Sequence, residues 1–230
     1  MGVIYVVRHG QAAFGTENYD QLTEIGFAQT RLLGAYFAKR KIHFDAVFTG
    51  TLRRQIETAD AILESHPEHS APAREIFPGL DEYKPEAILT AFTGESPVMN
   101  AAGAARRDPM VVREHFRLLR EALLAWAEDR TKPADMMPFA QFQEGAVGAL
   151  IEARRRFPDG HVLVVSSGGA IGAMVTQVLN APAATAVELN LRIRNSSLTE
   201  FAATPRRHHL VSFNGLPHLD TGDPSLITYA

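Results

Sequence analysis

At Arg8-His9-Gly10 a guanidinium, an imidazole and a glycine follow one another directly. The guanidinium is a permanent cation that pairs with planar or tetrahedral oxyanions through two parallel hydrogen bonds. The imidazole, if held neutral, offers a ring nitrogen as a nucleophile. Gly10 lets the backbone bend sharply where those two groups end. An isolated triplet of this kind could equally be an ordinary strand end whose charges point to water. The choice depends on whether the rest of the chain supplies matching parts.

The element that positions the triplet is the run Val3-Ile4-Tyr5-Val6-Val7, unbroken in β-branched and aromatic residues. Such a run predicts a strand buried on both faces. A buried strand that ends in Arg-His-Gly delivers polar groups to the carboxyl edge of a sheet, where α/β proteins place their ligands. Further along, Gln11 to Gln21 is rich in Gly, Asn and Asp and predicts a loop beside that edge. Thr23 is the expected N-cap of the helix that follows. Phe44 to Phe48 predicts a second strand, and a helix from about Leu52 to Ser65 follows it. His161 to Val165 predicts a third buried strand, followed by Ser166-Ser167-Gly168-Gly169 and an apolar helix from about Ala170 to Leu179. Strand–helix alternation argues for β-α units and a mostly parallel sheet. Val187 to Ile193, Ser197 to Ala202 and His209 to Phe213 are expected as later strands.

The segment from about 68 to 138 differs. It holds Pro72, Pro78, Pro85, Pro97, Pro109, Pro133 and Pro138, and one strong amphipathic helix at roughly Val111 to Asp129. It is expected as a cap inserted over the carboxyl edge of a single domain spanning 1–230. Gln141 to Phe157 returns to a helical pattern.

Composition narrows the function classes. Of 230 residues, 46% are hydrophobic and 21% charged, with a net charge of -3, which suits a globular α/β domain. The near-neutral balance gives no electrostatic case for nucleic acid or an anionic membrane. With no cysteine, disulfides, thiol catalysis and thiolate metal sites are excluded. No apolar stretch approaches the roughly 18 residues a membrane span needs, and the opening lacks a secretory pattern. A cytoplasmic protein is expected. His66 and His69, or His208 and His209, are the pairs that could suggest a metal, but no carboxylate motif accompanies either, so no metal and no cofactor is expected. A serine hydrolase elbow at Ser167 is excluded, because Val165 stands where that elbow needs glycine.

Taken together, these parts resemble the histidine phosphatase superfamily, the phosphoglycerate mutase-like proteins, over almost the whole chain. Arg8-His9-Gly10 is similar to the family's signature triplet, and Leu22-Thr23-Glu24-Ile25-Gly26-Phe27-Ala28-Gln29 to its first helix start. Arg54-Gln55-Ile56-Glu57-Thr58-Ala59 is similar to the arginine-bearing helix, and Leu80-Asp81-Glu82 to the leucine-x-glutamate element. Each motif is weak alone; four in order are specific. The resemblance implies a mostly parallel sheet flanked by helices on both faces, with a helical cap. It implies His9 as the nucleophile that forms a phosphohistidine, Glu82 as the proton donor, and Arg8, Arg54, Gln11, Ser167 and Gly168 at the phosphate.

The chemistry agrees. A phosphate monoester needs cations that keep their protons, which the two arginines supply without a metal. A glutamate in a dry pocket can hold the proton a leaving alkoxide needs.

The departures are specific too. Val165-Ser166-Ser167-Gly168-Gly169 carries Ser167 where the family usually has a second histidine. A serine donates one neutral hydrogen bond and carries no charge. Gly15 stands near the position of an asparagine that often follows the triplet, and Thr49-Gly50-Thr51 where a serine usually precedes the arginine helix. Asn195-Ser196 is similar to a late turn near the family's site. A metal-independent phosphomonoesterase acting on a small phosphorylated molecule is the expectation; on charge alone, histidine at position 167 should speed it. A weak or inactive member that binds a phosphorylated ligand or a protein, and a phosphoglycerate mutase, stay open, as does a homodimer. Lys84, Arg106 and Arg107 are candidate anion contacts in the cap, with solvated surface positions as the alternative.

Overall fold

The computed structural model describes residues 1–13, 20–66, 72–95, 109–220 and 222–229. The opening run forms β1 (Gly2–Arg8) in the middle of a sheet whose other strands are β2 (Ala46–Thr49), β3 (Arg74–Ile76), β4 (His161–Ser166), β5 (Leu198–Ala203) and β6 (His208–Gly215). The strand order is β3-β2-β4-β1-β5-β6. β1 to β4 are mutually parallel, β5 runs antiparallel to β1, and β6 runs antiparallel to β5. The sheet is therefore mixed but mostly parallel. The parallel strands present their carboxyl ends along one edge, and in the register of β1 and β4 Arg8 pairs with Ser166.

Alternation within these strands explains why their sequences are apolar throughout. Ile4, Val6, Ala46, Phe48, Val162 and Val164 face one core, while Tyr5, Val7, Val47, Leu163 and Val165 face the other. The second core is closed by α1 (Glu24–Lys39) and α2 (Arg53–Glu64), through Leu33, Phe37, Ala59 and Ile62. Leu33, Phe37 and Ile62, fully buried, each contribute about 1.5–3 kcal/mol. The first, larger core is closed by α3 (Pro85–Thr93), α4 (Pro109–Ala127), α5 (Phe139–Arg156), α6 (Gly168–Val178) and α7 (Ala183–Asn190). Helices thus cover both faces. Thr23 caps α1 as expected, its hydroxyl accepting from the Gly26 N–H at 3.1 Å. Among the described residues no helix is long and apolar enough to cross a membrane.

One reading of the sequence changes. Val187 to Ile193 is not a strand. Val187, Leu189, Leu191 and Ile193 alternate with polar residues as a strand would, yet the chain forms α7 and a turn. The alanine-rich start after Pro182 favours a helix. Gly172 of α6 also admits α7 so closely that a Cβ there would lie 2.6 Å from the Ala186 carbonyl. In the segment 68–138, α4 is the expected amphipathic helix. The segment also supplies the short edge strand β3, a 3₁₀ turn at Pro78–Leu80, and α3, which starts at Pro85.

Candidate active site

β1 ends at Arg8, and the backbone of His9 beyond it is held from three directions. Its N–H donates to the Ser166 carbonyl at 2.9 Å, and its carbonyl accepts from the Ser196 N–H at 3.2 Å and the Asn195 amide at 3.4 Å. Ser196 reaches this position in the left-handed region, at φ 55°. Gly10 donates to the Thr58 hydroxyl at 3.0 Å and lies so near α1 that a Cβ would fall 2.6 Å from the Gly26 carbonyl.

His9 is buried, with 3% of the residue exposed. Its Nδ1 lies 2.8 Å from the Gly10 carbonyl. A carbonyl only accepts, so Nδ1 carries the proton and Nε2 the lone pair. The other contact agrees: Arg54 Nε–H donates to His9 Nε2 at 3.2 Å. Burial first, then the charges of Arg54 and Arg8, holds the imidazole pKa well below its usual value, against the smaller pull of the Gly10 carbonyl. The ring is held neutral, with the lone pair on Nε2 fixed by tautomer and place.

Arg54 stands in the first turn of α2, almost fully buried, and is held on its far side by Asp20. The Arg54 Nη1 to Asp20 Oδ1 distance is 2.8 Å. Asp20 also accepts from the backbone N–H of Arg53 at 2.9 Å, so it fills the role of N-cap partner that Leu52 lacks. Arg8 is anchored by the backbone, its Nη1 donating to the carbonyls of Ile193 and Tyr229.

Glu82 approaches from the loop after the 3₁₀ turn. Its carboxylate accepts from the Gly169 N–H at 3.0 Å and the Tyr83 N–H at 3.2 Å. Burial raises its pKa above the usual carboxylate value, opposed by the Gly169 hydrogen bond and by the charges of Arg54 and Arg8. Only glycine permits this approach, since a Cβ at Gly169 would lie 2.2 Å from Glu82 Oε1. Asp81, next to it, clips the loop after β2 by accepting from the Thr51 N–H and hydroxyl, each at 2.6 Å. A cleft of about 650 Å3 opens beside Glu82, lined also by Tyr83, Lys84, Met136, Met137 and Phe142. The arrangement combines a neutral imidazole nitrogen, two guanidiniums and a carboxyl of raised pKa, which suits transfer of an anionic group to nitrogen with protonation of a leaving group.

The model of the histidine phosphatase superfamily (branch 1) matches residues 4–96 and 99–215. The chain belongs to that superfamily. Solved structures of similar fold include a phosphoserine phosphatase mutant from Entamoeba histolytica in complex with phosphoserine. It is 18% identical, with a TM-score of 0.65 over 95% of this chain and 100% of that one. A mycobacterial glucosyl-3-phosphoglycerate phosphatase complexed with VO3 is 21% identical, with a TM-score of 0.63 over 93% and 99%. A phosphoglycerate mutase from Bacillus anthracis is 17% identical, with a TM-score of 0.58 over 94% of each chain. No curated protein sequence matches the chain.

Of the residues that the superfamily pattern pointed to, the structure brings His9, Arg54 and Glu82 to one edge, with Arg8, Ser167 and Gly168 beside them. Ser167 is fully buried at the end of β4, where Gln55 Nε2–H donates to its Oγ at 2.9 Å. Gly168 begins α6 and fits against α7, where a Cβ would meet Asn190 Oδ1 at 2.4 Å. Gln11 is adjacent, but its amide oxygen accepts from the Thr23 hydroxyl at 2.8 Å and so braces the start of α1. Asn195-Ser196 does meet the site, through the His9 carbonyl.

Gly15, His69, Arg106 and Arg107 lie outside the described residues. Lys84 is exposed and its Nζ lies 3.5 Å from the Asp135 carbonyl. Among the described residues no group of three or more His, Asp or Glu could hold a metal. His66 and His208 instead bond the carbonyls of Ile42 and Leu150, at 2.8 and 2.9 Å.

The sequence reading missed Asp20, Gln55 and Thr58 as parts of the site. Gln55 and Thr58 stood inside the quoted arginine motif, one and four residues after Arg54. Asp20 stood three residues before the Thr23 cap, in a loop whose polar residues all looked alike.

Proposed function

We propose that this chain is a metal-independent phosphomonoesterase that passes the phosphoryl group of a small molecule through His9. The observation that carries the reading is the contact of Arg54 Nε–H with His9 Nε2 at 3.2 Å, beside a carboxyl that burial keeps protonatable. A cation and a lone pair meet there, and the Glu82 carboxyl, its pKa raised by burial, lies within the field of the same two arginines. The substrate's phosphoryl oxygens take over the guanidinium donors of Arg54 and Arg8. Nε2 then attacks phosphorus, and the P–O ester bond breaks. The leaving oxygen takes the proton from Glu82. The ring, now phosphorylated on Nε2 and positive, keeps its Nδ1–H on the Gly10 carbonyl. In the second half, water attacks phosphorus, the Glu82 carboxylate takes the water proton, and the P–N bond breaks. Phosphate leaves and His9 is neutral again.

The cleft beside Glu82 gives the leaving group a place, and α3 and α4 of the segment 68–138 serve as the cap of a single domain. The phosphatases among the structural neighbours support the reaction class. A generic aryl phosphate tests it in the presence of a chelator. Hydrolysis that persists with chelator and falls at least about 10^3-fold in His9→Ala is the expected result. Activity that survives His9→Ala, or disappears with chelator, contradicts it.

A further inference from the structure

Ser167 occupies the N-cap position of α6, where a serine hydroxyl ordinarily accepts from a backbone N–H of the first turn. Here it does not: it makes no side-chain cap hydrogen bond, and the Gly169 N–H that it could take donates to Glu82 instead. What it accepts is Gln55 Nε2–H, at 2.9 Å, and no described residue accepts its proton.

The orientation of the Gln55 amide is fixed by chemistry. The same Nε2 donates to the Leu80 carbonyl at 2.9 Å, and a carbonyl can only accept. Turning the amide over would set two acceptors against each other. Both amide protons are therefore spent, one on Leu80 and one on Ser167, in a pocket where Gln55 and Ser167 are each 0% exposed. Because Ser167 Oγ accepts from the amide, its own O–H must point elsewhere. The register of β1 and β4 sets Ser167 beside His9, and α2 sets Gln55 next to Arg54.

We propose that Gln55 is a positioning residue: its amide holds Ser167 as an acceptor, so that the serine O–H is aimed as a donor at the transferring phosphoryl group. This rests on the phosphatase reading for the identity of that group. Ser167 and Gln55 together thus replace a charged donor by a neutral one of fixed direction. Gln55 itself touches no reacting atom.

The test is a double-mutant cycle of Gln55→Met and Ser167→Ala, read by orthovanadate affinity in calorimetry, with kcat and KM for an aryl phosphate measured alongside. Each single variant is expected to weaken vanadate binding about tenfold, the worth of one neutral hydrogen bond, and to lower kcat more than it changes KM. The double variant should bind vanadate within about twofold of Ser167→Ala, because Gln55 acts only through the serine. A Gln55→Met effect of equal size in the Ser167→Ala background overturns the proposal and leaves Gln55 a structural tie to Leu80. Should Gln55→Met fail to fold, Gln55→Leu takes its place. Unchanged vanadate affinity in Ser167→Ala overturns the proposal by itself.

The cycle also separates this inference from the reading beneath it. Coupled vanadate binding in a protein without turnover supports the pairing and sinks the phosphatase. His9-dependent turnover with additive variants does the reverse.

Discussion

β1 and β4 are parallel neighbours whose carboxyl ends differ in how they meet the same point. At the end of β1, Arg8, His9 and the nearby Arg54–Asp20 pair form a charged arrangement in which each group is fixed by a hydrogen bond or ion pair. At the end of β4, Ser166 and Ser167 form a neutral arrangement. Ser166 Oγ donates to the Leu80 carbonyl at 2.7 Å, and Gln55 joins that carbonyl to Ser167. The charged side holds an imidazole between two guanidiniums. The neutral side supplies direction, and through Leu80 it ties down the segment that carries Glu82. On the proposed reading, a second positive group is not needed to complete the edge, provided the donors there are oriented by buried partners.

The largest expected effect falls where the two sides meet, at Glu82. If its carboxyl supplies the leaving-group proton, Glu82→Gln should slow an alkyl phosphate by about 10^2–10^4-fold and hardly touch an aryl phosphate with an acidic phenol. The pH profile should agree. Glu82 donates only while protonated, so alkyl phosphate turnover should fall as pH rises through its raised pKa, and that limb should vanish in Glu82→Gln. The acid limb, set by His9, should lie below the usual histidine value of 6.5. Equal slowing of both substrates would reduce Glu82 to a brace for the start of α6.

A smaller effect is expected on the charged side. Asp20→Asn keeps the shape and can still accept from the N–H of Arg53, but it removes the charge that holds Arg54 Nη1. Asp20 is about half exposed while Arg54 is buried, so solvent screens part of the pair. Turnover should fall about fivefold to tenfold, with Tm nearly unchanged. A loss of stability with unchanged kcat would make Asp20 a helix cap and no more.

How much of this was legible in the sequence depends on how local each feature is. The triplet at residues 8–10, the Thr23 cap and the buried runs of β1 and β4 are set by neighbours in the chain, and their patterns are visible there. The Asp20–Arg54 and Gln55–Ser167 contacts join residues 34 and 112 positions apart, so no window of sequence contains them. The α7 segment was misread because its period-2 alternation is real, and only packing on α6 at Gly172 overrides it. Ser167 itself was visible as a departure. Its consequence was not, because the partner that orients it lies on another helix.

That partner changes the sign of the smallest prediction. Charge alone favours Ser167→His, but the site is fully buried and Gln55 already fills the space beside Oγ. Overpacking of this kind costs about 1–3 kcal/mol, so Ser167→His should lower both Tm and, several-fold, kcat for a small aryl phosphate. A faster enzyme with unchanged Tm would mean that the neutral side is a loss of function and not a rebuilt one.

The claim on which both sides converge is that phosphorus passes through His9 Nε2. Mixing the protein with an aryl phosphate, quenching at high pH where phosphohistidine survives, and mapping the modified peptide by mass spectrometry tests it directly. One phosphoryl group on His9, formed faster than turnover and absent in His9→Ala, is the predicted result. Turnover with no phosphoryl group on His9, or with the group on Ser167, would contradict the account.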